Sequence, residues 1–180
     1  CFHHLLLDGW SLPLLFGDLL RLYQSPGSDL PLAAPYEHYI AWLERQDQDR
    51  GYQHWRALLL DFDTPTTLPG STSATSPRSS DQHADALFDF SAEDSARLTD
   101  FARRERLTLN TVFQAAWALL LSGASGERDV LFGVTVSGRD IDLAGIEDMV
   151  GLFINTIPLR LSTTAGALLP WLQAVQRQHQ

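Results

Sequence analysis

The chain has 180 residues, enough for one domain or a large part of a bigger one. With 44% hydrophobic and 19% charged residues it can build a core, which excludes disorder throughout. Acidic residues outnumber basic ones 22 to 13, a net charge of -9 that argues against nucleic acid, and every basic residue is arginine, which excludes a Schiff-base or P-loop lysine.

In chain order, the first periodic segment is 11–23, where Leu12, Leu15, Phe16, Leu19, Leu20 and Tyr23 share one helix face. Ser11 is the expected cap and Pro13 fits the first turn. A turn at Pro26–Ser28 precedes a second helical stretch at 36–60, with a break expected at Gly51. Residues 61–82 are rich in Pro, Ser and Thr and read as a linker between a piece at 1–60 and a piece at 83–180.

The second piece alternates elements. Ala84, Ala86, Phe88 and Phe90 predict a half-buried strand over 84–90. Ser91 with Asp94 forms a capping-box pattern for a helix reaching about Arg106. Thr108 is placed to cap the next helix, whose body VFQAAWALLL is apolar nearly all round and is expected to be buried. SGASGE predicts a turn. Strands follow at 129–136 and 152–161, the second at an edge or bulge because of Pro158. Leu168, Leu169, Leu172 and Val175 then resume a helical period. The reading is α/β.

The longest apolar runs fall short of the ~20 residues of a membrane span, so no membrane association is expected. The one cysteine, Cys1, can form neither an internal disulfide nor a cysteine-rich zinc site, which fits a reducing, cytoplasmic setting. Residue 1 is not methionine and the last helical period stops at Gln180 without a cap; the chain reads as an internal piece of a longer polypeptide.

The residues richest in chemistry come first: Phe2-His3-His4-Leu5-Leu6-Leu7-Asp8-Gly9-Trp10. If the histidine pair ends a strand, one imidazole faces a cavity and the other packs inward. A neutral imidazole suits handling a proton from an attacking nucleophile near neutral pH. Asp8, if buried, needs an arginine or backbone N–H donors, and Gly9 permits a conformation or close approach that a side chain would block. The competing readings are a packed core histidine or a metal pair. The metal pair is disfavoured because adjacent side chains diverge and no third ligand sits at i+4.

HHLLLDGWS resembles the HHxxxDG signature of the condensation domains of nonribosomal peptide synthetases. YEHYIAWL at 36–43 resembles that family's tyrosine-rich helix, and YQHWRALL at 52–59 its tyrosine–tryptophan helix. TLNTVFQAAWALLLSGASGERDVLFGVTVSGRD at 108–140 and IEDMVGLFINTIPLRL at 146–161 are similar to the elements that open the family's second lobe. The matches run in order along essentially the whole chain.

The resemblance implies a partial two-lobed fold like chloramphenicol acetyltransferase, containing the end of the first lobe and the start of the second. It implies peptide-bond formation between substrates carried as thioesters on the phosphopantetheine arms of donor and acceptor peptidyl carrier domains, with an adenylation domain adjacent. No cofactor is bound directly. His4 is the implied catalytic residue, removing the proton of the attacking amine or positioning it. His3, Asp8 and Gly9 are implied to be structural. The arginine expected to pair with Asp8 is placed outside this stretch. Trp10, Ser137, Arg139 and Asn155 are candidates for the substrate tunnel.

The rivals are an epimerisation domain of the same superfamily, a free-standing HxxxD acyltransferase, and a non-catalytic recruitment domain on the same fold. The VSGRD and GLFINTIPLRL segments look more like condensation than epimerisation, a recruitment module tends to lose the His and Gly positions kept here, and a heterocyclising member replaces the histidines with aspartates. By itself the chain is expected to fold poorly and to be inactive.

Overall fold

A computed structural model describes residues 2–68, 86–163 and 166–178. Among these the element order is α1 (Ser11–Gln24), α2 (Glu37–Glu44), α3 (Gln48–Leu58), α4 (Ala92–Arg104), α5 (Leu109–Ser125), β1 (Asp129–Val136), a 3-10 turn (Ile146–Asp148), β2 (Asn155–Ser162) and α6 (Leu168–Gln178). β1 and β2 form a two-stranded sheet. The Thr163 N–H bonds Arg128 O at one end, and Gly133 lies against the Thr156 methyl nearer the other. Residue numbers rise along one strand as they fall along the other, so the pair is antiparallel. Among the described residues no single helix is long and apolar enough to cross a membrane.

The chain divides into two compact units, one of residues 1–60 with 133–157, the other of 61–132 with 158–180. The break at Leu60/Asp61 falls where the composition changes. Residues 133–157 group with 1–60 rather than with the rest of 83–180, because their buried polar and aromatic side chains find their partners there.

In the first unit the core is Ile146, Met149 and Phe153, with Ala34, Tyr36, Tyr39, Ile141 and Leu143 packed against it. The Phe153 ring meets Tyr36 edge-on at 5.1 Å and Tyr39 at 4.6 Å, contacts that add to the area the rings bury. In the second unit Ala115, Ala118 and Leu121 give α5 a buried stripe, and α5 packs against α4 and α6. Thr108 caps α5, its hydroxyl accepting the Thr111 N–H at 3.0 Å, and Ser91 caps α4 through the Asp94 N–H, as expected. Gln176 of α6 fastens the α4–α5 link, accepting the Thr108 N–H and donating to Arg106 O.

The break in 36–60 falls at 45–47, where the Asp47 carboxylate caps α3 by accepting the Arg50 N–H, and Gly51 lies inside α3. Of the strand expected at 84–90, residues 84 and 85 lie outside the described residues, and 86–90 form no ladder. Phe88 is 80% exposed there, so the alternation marks a strand without a partner among the described residues. The apolar α5 is buried on one stripe only, with Phe113, Trp117, Leu119 and Leu120 exposed. It runs to Ser125 and ends at a left-handed Gly126, absorbing most of the predicted turn. β2 starts at Asn155 instead of Leu152, because the Phe153 N–H is taken by a side chain. Of the predicted linker 61–82, residues 61–68 hold no helix or strand, and the Thr66 hydroxyl accepts the Leu131 N–H at 2.9 Å. Residues 69–82 lie outside the described ones.

Candidate active site

The histidine motif is a turn, not a strand end: residues 4–6 turn, with the Leu6 N–H bonded to His3 O. His3 and His4 are both exposed, and His3 Nδ1 accepts the Leu5 N–H at 3.0 Å. His3 therefore does not pack inward. His4 lies beside the Phe2 ring, edge-to-face, with centroids 6.4 Å apart.

Four residues on, the environment inverts. Asp8 is 1% exposed and Ser11 is fully buried. The Asp8 carboxylate collects donors on both oxygens. Oδ1 accepts the Ser11 N–H and the Ser11 hydroxyl, each at 3.0 Å, and a longer contact from Arg139 Nη2 at 3.4 Å. Oδ2 accepts the Phe153 N–H at 3.1 Å. Burial alone raises the carboxyl pKa, but the Phe153 amide, the Ser11 hydroxyl, the Ser11 amide and the Arg139 charge together hold it below the usual value. Asp8 is ionised and fully engaged.

The same carboxylate starts α1. Ser11 is the first helical residue rather than the cap; Trp10 stands at the cap position without a side-chain bond, and Asp8 takes the Ser11 amide instead. A negative charge at that end also suits the helix dipole.

Arg139 supplies the cation that the sequence reading placed elsewhere. It is 7% exposed, and its guanidinium contacts interior groups. Nη1 donates to Ile146 O at 2.6 Å and Met149 O at 3.0 Å, satisfying the 3-10 turn. The guanidinium lies 3.9 Å from the Phe153 ring centroid, a cation–π contact, and 6.0 Å from that of Trp10.

Two glycines allow these segments to close. Gly138 has φ +68° and its Cα faces Phe153 O so closely that a Cβ would collide with that carbonyl. Gly151 lies flush on the Tyr36 ring, where a Cβ would overlap ring atoms, and the Tyr36 hydroxyl donates to Leu152 O at 2.6 Å. Burial first, then Tyr39 and the Asp8 charge, push the Tyr36 phenol upward, so it stays a donor. The φ of Gly9 is not left-handed, and among the described residues nothing lies within 4 Å of where its Cβ would stand.

A condensation-domain profile matches residues 1–180. The chain belongs to the condensation-domain family. Among curated relatives it is 47% identical to chondramide synthase cmdD of Chondromyces crocatus, over 99% of this chain and 5% of that protein. It is 37% identical to gramicidin S synthase 2 of Brevibacillus brevis, over 99% of this chain and 4% of that protein. The chain thus spans about a twentieth of the length of these relatives. Among solved structures it resembles the first condensation domain of the calcium-dependent antibiotic synthetase, with TM-score 0.69, 23% identity, and 97% of this chain against 42% of that one. SgcC5 from Streptomyces globisporus gives TM-score 0.73 at 23% identity, again over 97% of this chain and 41% of the other. The fold is part of the two-lobed, chloramphenicol-acetyltransferase-like condensation domain.

Within that family fold the structure gathers some predicted residues and separates others. Asp8 and Arg139 meet in one buried network with Ser11, expected only as a helix cap, and with Gly151 and Phe153, which the sequence did not single out. No local signal pointed to Arg139 as the partner: it sits in SGRDID, where Asp140 and Asp142 are nearer carboxylates in sequence than Asp8. Trp10 and Ser137 are exposed, and Ser137 Oγ accepts the Arg139 N–H in a long bond of 3.4 Å. Asn155 is exposed, its side-chain oxygen turned back to the Thr156 N–H at 2.8 Å. A cavity of about 900 Å³ beside α4 in the second unit includes none of these residues.

Proposed function

We propose that this condensation domain forms the amide bond of a nonribosomal peptide, joining two substrates held as thioesters on the phosphopantetheine arms of donor and acceptor carrier domains. The observation that carries the reading is the intact motif, His3-His4 through Asp8-Gly9, whose aspartate is locked in the buried network with Arg139. The acceptor's α-amine attacks the donor thioester carbonyl, the C–N bond forms, and the C–S bond breaks to release the donor thiol. His4, on an exposed turn fixed at one end by Asp8, is the group that meets the amine. Asp8 and Arg139 hold that turn's base, while Trp10, Ser137 and Asn155 remain exposed and free to line the substrate path.

In the parent protein, an adenylation domain loads the carriers, and the setting is cytoplasmic. Residues 1–60 close the first lobe, 83–180 open the second, and 61–82 connects them. On this reading 133–157 is the part of the second lobe that grips the first, which accounts for its packing with 1–60.

Single-turnover transfer between two preloaded carrier domains, followed by mass spectrometry of the arm-bound product, tests the reaction. Amide on the acceptor arm is expected; an inverted α-carbon on an unextended substrate would indicate epimerisation instead.

Residues 1–180 alone are expected to show no cooperative thermal transition and no transfer activity. Leu15, Phe16, Leu19 and Leu20 of α1 and Phe113 and Trp117 of α5 are all at least 42% exposed, a larger apolar display than a stable monomer tolerates. A sharp melt followed by circular dichroism would refute this.

A further inference from the structure

Two residues past the motif's Gly9, Ser11 has an unusually complete role in the buried network. Ser11 is 0% exposed, and its Oγ stands 3.0 Å from both Asp8 Oδ1 and Gly151 O, 3.1 Å from the Gly151 N and 3.4 Å from Arg139 Nη2. A serine hydroxyl has one proton and can accept two more. The carboxylate is the stronger acceptor, and Gly151 O already receives the Asp8 N–H at 3.1 Å. The Ser11 proton therefore goes to Asp8, and the oxygen accepts from Gly151 and Arg139.

This arrangement stitches two distant stretches of sequence together. The Asp8 N–H reaches Gly151 O, the Gly151 N–H reaches Ser11 Oγ, and the Phe153 N–H reaches Asp8 Oδ2. Among the described residues, Ser11 is the one side chain that bonds both the motif's aspartate and the backbone of 151, two residues before Phe153 and four before Asn155, where β2 begins. Without its hydroxyl the Gly151 N–H has no acceptor in a buried site, which costs more than one ordinary hydrogen bond.

We propose that Ser11 is a positioning residue for the transfer reaction: through its hydroxyl it sets the His4 turn against the 151–155 segment, and so aligns the amine-handling group with the substrate path. This rests on the condensation reading above. Misplacement of a reacting group by about 1 Å can cost on the order of 100-fold in rate. The loss belongs to the chemical step rather than to carrier docking.

The test uses the full-length protein that contains this domain, with preloaded carriers, well below its melting temperature. Ser11→Thr and Ser11→Val carry the same added branch and share any packing strain, but only threonine keeps the hydroxyl. Ser11→Ala adds no volume and serves if both larger residues prevent folding. The expected result is a fall of about 10- to 100-fold in single-turnover rate for Ser11→Val and Ser11→Ala. The carrier concentration giving half-maximal rate should be unchanged, and Ser11→Thr should recover most of the rate whenever it folds. Equal rates for Ser11→Val and Ser11→Thr, or a wild-type rate in Ser11→Ala, would overturn the proposal. Absence of amide product from the wild-type protein would instead defeat the condensation reading itself.

Discussion

Asp8→Asn in the complete domain is expected to destabilise it by about 3–5 kcal/mol, the range for uncoupling one member of a buried charged pair. All the carboxylate's partners are donors: the Ser11 N–H, the Ser11 hydroxyl and Arg139 on one oxygen, the Phe153 N–H on the other. An asparagine must turn its NH2 group toward one set or the other, so donor faces donor in either orientation. Arg139 contributes least to stabilising the ionised carboxylate, in keeping with its 3.4 Å separation. Its stronger bonds go to Ile146 O and Met149 O. Arg139→Met is therefore expected to disturb the 3-10 turn while leaving most of the Asp8 interactions in place. Chemical denaturation of the two variants checks the order.

Asp8 also sets a pH dependence. Its carboxyl is held below the usual value in the folded protein, whereas an unfolded aspartate titrates near 3.9. The group thus contributes stability that is complete above the unfolded value and is lost as pH falls through the lower, folded one. Removing the carboxyl removes that contribution, so the acid limb of the stability curve should be shallower for Asp8→Asn than for wild type. Parallel limbs would mean that Asp8 titrates alike in both states.

What the sequence discloses follows from range. Local signals were readable: the α1 face from Leu12 to Tyr23, the Ser91 and Thr108 caps and the β1 run each depend on neighbours within a few positions. The need of Asp8 for donors was legible too, but not their source. Ser11 lies only three positions on, but the Arg139 and Phe153 donors sit 131 and 145 positions away, and nothing local distinguishes Arg139 from the other arginines. The same long-range bonds displaced two boundaries. Ser11 looked like a cap but spends its hydroxyl on the network, and β2 starts late because the Phe153 N–H is already committed. The alternating segment ending at Phe90 shows the converse: a pattern predicts a strand, yet a ladder also needs a partner. The histidines misled in a different way. A strand would have hidden one of them, whereas a turn exposes both, so His3→Ala is expected to cost little stability instead of creating a packing defect.

His4→Ala carries the largest expected effect on activity. Loss of a general base slows transfer by about 10²–10⁴-fold. Because His4 is exposed, the same change should leave the melting temperature nearly untouched, in contrast to Asp8→Asn. The two possible duties of the imidazole separate with a small, more reactive amine offered in place of the acceptor carrier. If His4 removes a proton, such a nucleophile restores much of the rate; if it positions the amine, rescue is slight, since geometry is what was lost.

The most direct measurement is single-turnover transfer in wild type and His4→Ala, with both carriers loaded beforehand and the arm-bound product weighed by mass spectrometry. The predicted result is amide on the acceptor arm in wild type and a loss of about 10²–10⁴-fold in the variant, with loading of both carriers unchanged. Transfer by His4→Ala at the wild-type rate would contradict the assignment of this turn as the catalytic centre.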